Sequence, residues 1–183
     1  CQVVRKVVKM DLRYPIGPFD DHAPITADMR QPAIATIAEL PSQLKHAVAG
    51  LSDLQLETPY RPNGWTVRQV VHHLADSHMN AYIRTKLGLT EHEPTINPYD
   101  QNSWVPLADG RLPVDLSLSI VEGVHARWTE LWRSLTASQF ARVFHHPEIG
   151  VVTLDAQLQM YAWHSRHHVA HITSLRQREG WLA

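Results

Sequence analysis

The sequence of 183 residues contains one cysteine, Cys1, almost no net charge and no long apolar segment. A single cysteine excludes a disulfide framework within the chain and a zinc site built from thiolates, and it suits the reducing cytoplasm that we expect as the compartment. A formal net charge of −1 without a basic stripe argues against electrostatic binding to nucleic acids or membrane surfaces. Because no apolar run approaches about 18 residues, no membrane-spanning helix is predicted.

The beginning of the chain is rich in proline rather than in apolar residues. Cys1–Lys9 lacks the apolar region and the cleavage site of a secretion signal, and one interpretation is that translation begins at Met10. Three prolines and a glycine lie in residues 11–27, where fixed φ angles and missing backbone donors disfavour a helix. We therefore predict an extended N-terminal arm over residues 1–26, and the length suits one domain over residues 1–183.

Histidine is the abundant residue type, with thirteen copies that form no continuous run. Leu154–Arg178 has no proline or glycine, and its apolar residues recur at helical spacing, so it predicts an amphipathic helix. His164 and His168 lie one turn apart there, with Cβ atoms about 5–6 Å from each other. At this spacing one divalent ion can bind both imidazoles. His171 shares their stripe, whereas His167 points further away. The structural alternative is a set of hydrogen-bonded packing histidines.

Apolar residues at helical spacing predict three further helices, over about 27–50, 65–90 and 115–134. Pro41 lies inside the first of these helices and should kink or split it. The residues of the third helix predicted to face the core are Leu116, Ile120, Val124, Trp128, Leu131 and Leu135. Four amphipathic helices predict an all-α protein with a four-helix bundle, in which metal sites form between facing helices.

The connections between the predicted helices differ in character. Residues 91–114 form a connection of about 24 residues with four prolines, and loops of this length are uncommon in compact domains unless they serve a function. Residues 136–153 predict a turn or a small hairpin.

The second predicted helix carries His72, His73 and His78. Helical periodicity places His78 in the middle of the apolar face, with His72 and His73 on its two shoulders. His73 shares a polar strip with Asp76, and such a strip can line a cleft or simply face solvent. The residues alone therefore do not identify which of these histidines would join His164 and His168 as the third ligand of an ion.

Two segments carry a resemblance to a known family. Gly64–Asn80, GWTVRQVVHHLADSHMN, and Trp163–Ile172, WHSRHHVAHI, resemble the DinB superfamily and, within it, the YfiT-like branch. Leu12–Gly17 and Thr58–Arg61 are similar to that branch as well, and the resemblance covers about residues 11–182. The resemblance implies a four-helix bundle with up-down-down-up topology.

The resemblance also implies a metal site and an activity. It implies one divalent ion, zinc or nickel, held by three histidines with water completing the shell. Carried over residue by residue, these ligands are His73, His164 and His168, while His171 supports them, with a ligand role as its alternative. The branch is described as metal-dependent hydrolases, and relatives in the superfamily use such a site with the thiols bacillithiol or mycothiol. A homodimer is implied too and agrees with the apolar helix faces.

Three neutral imidazoles with an open position suit a catalytic ion rather than a closed structural one. Such an ion can activate water for hydrolysis or bind the thiolate of a cosubstrate. Asp76 is the candidate general base. The candidate substrate contacts are Tyr60, Arg61 and Trp65, and the alternative is that these residues pack where the second predicted helix begins. We predict a metal-dependent hydrolase acting on a small molecule; the alternatives are a metal-dependent thiol S-transferase and a non-enzymatic metal-binding bundle.

Overall fold

A computed structural model describes residues 11–181, so that Met10 and the proposed start of translation lie outside the described residues. The helices are α1 (Arg30–Val48), α2 (Asp53–Leu56), α3 (Val67–Thr90), α4 (Gln101–Trp104), α5 (Val114–Ser134), α6 (Ala137–Phe140) and α7 (Leu154–Glu179). A two-stranded antiparallel hairpin, β1 (Val143–His146) and β2 (Gly150–Thr153), precedes α7. Across the described part of the chain, every helix is too short or too polar to cross a membrane.

Contacts between α1 and α7 show that these two helices run parallel. Arg30 pairs with Asp155 at the point where both helices begin. Near their other ends, the guanidinium of Arg176 donates a hydrogen bond to the carbonyl of Ala47. α1 and α3 each pack against both α5 and α7, so α1 and α3 occupy diagonal corners of the bundle.

α3 runs antiparallel to α7 and parallel to α5. Thr85, late in α3, donates a hydrogen bond to Gln157 at the beginning of α7. Trp128, in the second half of α5, donates to the hydroxyl of Thr85. His72, early in α3, contacts Ser117 early in α5. The four long helices therefore run up, down, down and up, as the resemblance implied.

The long helices begin and end close to the predicted residues. Thr66 caps α3 by accepting a hydrogen bond from the backbone N–H of Gln69 at 3.2 Å, which satisfies one of the free donors of the first turn. The first helix begins with a 3₁₀ turn at Ala27–Met29, and α1 then continues through Pro41 without a break, so the alternative in which this proline splits the helix is wrong. The hairpin predicted within residues 136–153 is present.

The buried face of α5 differs from the predicted one. Leu116 is 53% exposed and Ile120 is 42% exposed, so both face outward. The residues that face the core are Val114, Ser117, Val121, His125, Trp128, Thr129 and Trp132. The apolar periodicity was misleading here because three polar side chains occupy inward positions.

The core consists of two apolar clusters with histidines between them. One cluster combines the second half of α1 with the beginnings of α3 and α5 and the end of α7. The other combines the first half of α1 with Ala81 of α3, the end of α5 and the beginning of α7. The buried His73, His78, His125 and His168 and the partly buried His164 lie between the two clusters. Burying such a polar layer is favourable only when its nitrogens find partners.

Candidate metal centre

Three imidazoles from two helices converge inside the bundle. α3 supplies His73, and α7 supplies His164 and His168, which lie one turn apart. The Nε2 atom of His164 lies 3.3 Å from Nε2 of His73 and 3.1 Å from Nε2 of His168. Two imidazole nitrogens bound to one tetrahedral ion, each at about 2.0–2.1 Å, are about 3.3 Å apart. The positions of these nitrogens therefore fit a single divalent ion.

The surroundings keep these three imidazoles neutral. Burial, and to a lesser extent the nearby His171, lower the pKa of His73 to about 4. Burial is also the main reason why the pKa values of His164 and His168 lie well below their ordinary range. A neutral imidazole offers the lone pair that a metal ion needs. No carboxylate belongs to this group, so an ion held there would keep its full double positive charge.

A cavity of about 400 Å³ opens beside the three Nε2 atoms. Tyr60, Arg61 and Trp65, the residues proposed as substrate contacts from the sequence, line it. The ring of Trp65 lies 4.7 Å from that of His73, and the ring of Tyr60 stacks on His171 at 3.9 Å. A larger groove of about 730 Å³ lies between α1 and α5, away from the three Nε2 atoms, and the described residues that line it form no comparable group of ligands.

His72, the other member of the histidine pair on α3, is outside the cluster. Its Nδ1 atom lies 2.7 Å from the hydroxyl of Ser117, and its Nε2 atom lies 3.1 Å from the carbonyl of Leu112. The structure thus brings His73 together with the pair on α7 and directs His72 toward α5. The role of His73, His164 and His168 as ligands stays a prediction.

The helical wheel placed His167 off the stripe shared by His164, His168 and His171, but His167 is not exposed to solvent. It is buried, its ring stacks on that of Trp163 at 4.3 Å, and Tyr14 of the N-terminal arm lies against it. His167, His168 and His171 form a second group whose nitrogens lie within 4.8 Å of one another. A neutral imidazole has one lone pair, so His168 cannot serve an ion in both groups at once.

Asp76, the candidate general base, lines a separate cavity of about 190 Å³ that it shares with His72, His73 and Asp109. Burial, and to a lesser extent the negative charge of Asp109, raise the pKa of Asp76 to about 6. His73 lines both this cavity and the one of about 400 Å³, whereas Asp76 lines only the smaller of the two. A catalytic role for Asp76 stays a prediction.

Several residues around the cavity were not anticipated. Arg13 and Tyr14 reach it from the N-terminal arm, and Gln101 and Asn102 reach it from α4. α4 belongs to the long connection whose length alone indicated a function. His125 on α5 was also missed, although its spacing from Val121 and Trp128 placed it on an inward stripe.

Comparison with known proteins agrees with this architecture. The model of the DinB superfamily matches residues 15–172. The chain belongs to this superfamily. A relative from Bacillus cereus (strain 03BB102) named "Putative metal-dependent hydrolase" is 54% identical over 171 residues, which cover 93% of this chain and 99% of the relative. A Bacillus anthracis protein with the same name is 53% identical over the same shares of the two chains.

Two solved structures in the comparison resemble the bundle. YfiT from Bacillus subtilis, described as a probable metal-dependent hydrolase with an unusual four-helix bundle topology, is 50% identical with a TM-score of 0.89. That match covers 93% of this chain and 99% of YfiT. The mycothiol-dependent maleylpyruvate isomerase matches with a TM-score of 0.59 over 82% of this chain and 63% of its own, at 14% identity, which shows a shared fold alone. The family and fold expected from the sequence are therefore confirmed.

Proposed function

We propose that this protein is a metal-dependent hydrolase of a small molecule, with one divalent ion bound by His73, His164 and His168. The observation that carries the proposal is the convergence of three Nε2 atoms at separations of 3.1 and 3.3 Å between neighbours. Relatives that are 53 and 54% identical are named for the same class of activity. A bound divalent ion would act as a Lewis acid toward a substrate carbonyl and would lower the pKa of a coordinated water.

The residues around the ligands suit a substrate of modest size with apolar and polar parts. Tyr60 and Trp65 provide aromatic surfaces in the lining of the cavity, while Arg61 and Asn63 provide hydrogen-bond donors there. The guanidinium of Arg61 contacts the hydroxyl of Tyr60 and the carbonyl of Pro62, and no carboxylate of the described residues pairs with it. It is therefore available to bind an electronegative group of the substrate.

The test begins with metal content per chain, measured by elemental analysis of untagged protein purified without added metal or chelator. We expect about one ion of zinc or nickel per chain, since both metals accept imidazole ligands. His73→Ala and His168→Ala should each lose the ion, and His72→Ala is the matched control because it changes the neighbouring histidine outside the cluster. Equal metal loss in all three variants would contradict the ligand assignment.

Activity assays then separate the reaction classes. Turnover of ester or amide substrates that needs the metal and no added thiol supports the hydrolase. Turnover that appears only with a low-molecular-weight thiol would replace the proposal by the thiol S-transferase. A protein that holds its ion tightly and turns over neither substrate class would be the non-enzymatic bundle.

The assembly state is a separate part of the proposal. We propose a homodimer, because Leu112, Leu116 and Ile120 expose apolar side chains at the beginning of α5. Sedimentation velocity should then show a species of twice the 20.8 kDa chain mass, and a species of single chain mass at all concentrations would contradict it.

A further inference from the structure

A chain of three histidines connects His164 to the backbone of α1. The Nδ1 atom of His164 lies 2.9 Å from Nε2 of His78. The Nδ1 atom of His78 lies 2.8 Å from Nε2 of His125, and the Nδ1 atom of His125 lies 2.6 Å from the carbonyl oxygen of Ile37. His78 and His125 are both almost fully buried, so these nitrogens have no access to water as an alternative partner.

The carbonyl at the end of this chain determines the direction of every hydrogen bond in it. A carbonyl oxygen only accepts, so Nδ1 of His125 must carry the proton. In a neutral ring the Nε2 atom then accepts, which requires a proton on Nδ1 of His78, and the same reasoning requires a proton on Nδ1 of His164. The Nε2 atom of His164 is therefore left with a free lone pair, and it is the atom that faces His73 and His168.

Pro41 explains why the carbonyl of Ile37 is available. In an α-helix this oxygen would accept a hydrogen bond from the N–H four residues later, but residue 41 is a proline and has no N–H. The helix continues through this position, and the unpaired carbonyl is used by His125 from the neighbouring helix. The backbone hydrogen bond that Pro41 removes from α1 thus leaves the carbonyl oxygen at which the histidine chain ends.

A shorter chain supports His168 in the same way. The Nε2 atom of His171 lies 3.0 Å from the carbonyl oxygen of Arg13 in the N-terminal arm, so it must donate. The Nδ1 atom of His171 then accepts from Nδ1 of His168, 3.3 Å away. This arrangement again leaves Nε2 of His168 with a free lone pair beside Nε2 of His164.

We infer that His78, His125 and His171 are positioning residues that hold His164 and His168 as the Nδ1–H tautomer, with both Nε2 lone pairs directed at the metal position. This inference rests on the proposed metal site. The rings must be neutral for the chains to have one direction, and His78, His125 and His171 are all buried, which disfavours the charged form of an imidazole. Hydrogen bonds to the second nitrogen of a ligand histidine orient its ring and select its tautomer.

The first experiment reads the tautomers directly in metal-free protein. Long-range ¹H–¹⁵N correlation spectra should show protonated Nδ1 in four rings, those of His78, His125, His164 and His168. His171 should show the opposite tautomer, with its proton on Nε2. A proton on Nε2 of His164 or of His168 would overturn the inference. This measurement does not depend on whether the protein is a hydrolase.

The second experiment changes the far end of the longer chain, two rings away from His164. His125→Phe removes the acceptor for His78, whereas His125→Gln keeps an amide oxygen that can accept. We expect zinc affinity, measured by competition with a chromophoric chelator, to fall about 10- to 100-fold in the phenylalanine variant and to be largely restored by glutamine. Trp132→Phe is the control for packing, because Trp132 is fully buried on α5 and its indole N–H has no hydrogen-bond partner among residues 11–181.

His171→Phe tests the shorter chain separately and retains an aromatic ring against Tyr60. It should weaken zinc binding over the same range, with a thermal midpoint close to that of the unmodified protein. Unchanged zinc affinity in both His125→Phe and His171→Phe, with both variants folded, would overturn the inference. If the unmodified protein binds no zinc or nickel, the proposed function fails, and the spectra of the metal-free protein still decide the tautomers.

Discussion

The indole N–H of Trp163 donates a hydrogen bond to the carbonyl oxygen of Gly17 at 3.2 Å, and this contact holds the N-terminal arm against α7. The ring of Phe19 packs against the same indole at 5.8 Å between centroids. On the same face of α7, Tyr14 covers His167, and the carbonyl of Arg13 accepts from His171. The arm is therefore one wall of the cavity that contains the candidate ligands.

Trp163→Phe should loosen the arm while leaving the bundle folded. The substitution keeps an aromatic ring for Phe19 but removes the donor to Gly17, a loss of about 1 kcal/mol for a hydrogen bond of this kind. We expect faster hydrogen exchange and faster proteolytic cleavage in residues 11–26. Trp104→Phe is the control, because Trp104 is a partly exposed tryptophan that packs on Tyr99. Equal protection of the arm in both variants would contradict this role of Trp163.

The ion pair between Arg30 and Asp155 joins the first turns of two parallel helices. Their side chains are 20% and 16% exposed, and the guanidinium also lies 4.5 Å from the ring of Phe140. Asp155→Ala leaves this guanidinium without its carboxylate, which should cost about 2 kcal/mol. For a chain of this length, the thermal midpoint should fall by about 4–8 °C.

The exposed pair of Arg13 and Asp11 provides the matched control for that substitution. Its side chains are 64% and 47% exposed, and exposed ion pairs contribute little because water and salt screen them. Asp11→Ala should therefore leave the thermal midpoint almost unchanged. A midpoint that falls equally in Asp11→Ala and Asp155→Ala would show that burial of the second pair does not matter.

The helices and part of the site follow from local sequence patterns. The pair His164 and His168 was predicted correctly to share one face, because residues four apart in a helix must do so. Periodicity also placed His78 inward, and it is fully buried. His78 nevertheless contacts the far nitrogen of His164, while His73 on the shoulder of the apolar face reaches the cluster. A helical wheel of a single helix cannot show which neighbouring helix each inward-facing residue contacts.

The contributions of the arm and of α5 could not be predicted for two different physical reasons. The arm contacts His171 and Trp163 through backbone carbonyls, and every residue type carries a carbonyl. On α5, His125 occupies an inward position because the carbonyl of Ile37 on another helix satisfies it. A prediction from apolar residues passes over such a histidine, because the carbonyl that satisfies it lies 88 residues away in the sequence.

The metal-free protein should lose stability as the pH falls from about 6.5 to about 4. Burial, the largest cause in each case, lowers the pKa to about 4 for His73, His125, His167 and His171. The pKa values of His78, His164 and His168 lie well below the ordinary value for the same reason. Between the two pKa values the unfolded chain binds more protons than the folded one, so the free energy of unfolding decreases as pH decreases.

Denaturant titrations of chelator-treated protein at about pH 7.5 and about pH 5 measure this effect. We expect a lower denaturation midpoint at the acidic pH with an unchanged denaturant dependence. His22→Ala is a suitable control, because the side chain of His22 is 94% exposed and its removal should leave the pH profile in place. A midpoint that does not change between the two pH values would contradict the burial of neutral histidines.

Asp76→Asn should stabilise the protein at alkaline pH. Burial and the charge of Asp109 raise the pKa of the Asp76 carboxyl to about 6, from 3.8. Between these pKa values the folded protein binds more protons than the unfolded chain, so this carboxyl lowers stability as pH rises through that window. Since the group is half-buried and solvent screens its charge, we expect a gain of about 1 kcal/mol at about pH 8 and no gain near about pH 3.5.

The same variant decides whether Asp76 takes part in the reaction. If Asp76 is the general base of the proposed hydrolysis, Asp76→Asn should lower turnover by about 100- to 10,000-fold while the protein becomes more stable. Glu122→Gln, on the exposed side of α5, is the control for removing one negative charge and should change neither quantity. A stabilised Asp76→Asn variant with full turnover would show that the carboxyl is not the base.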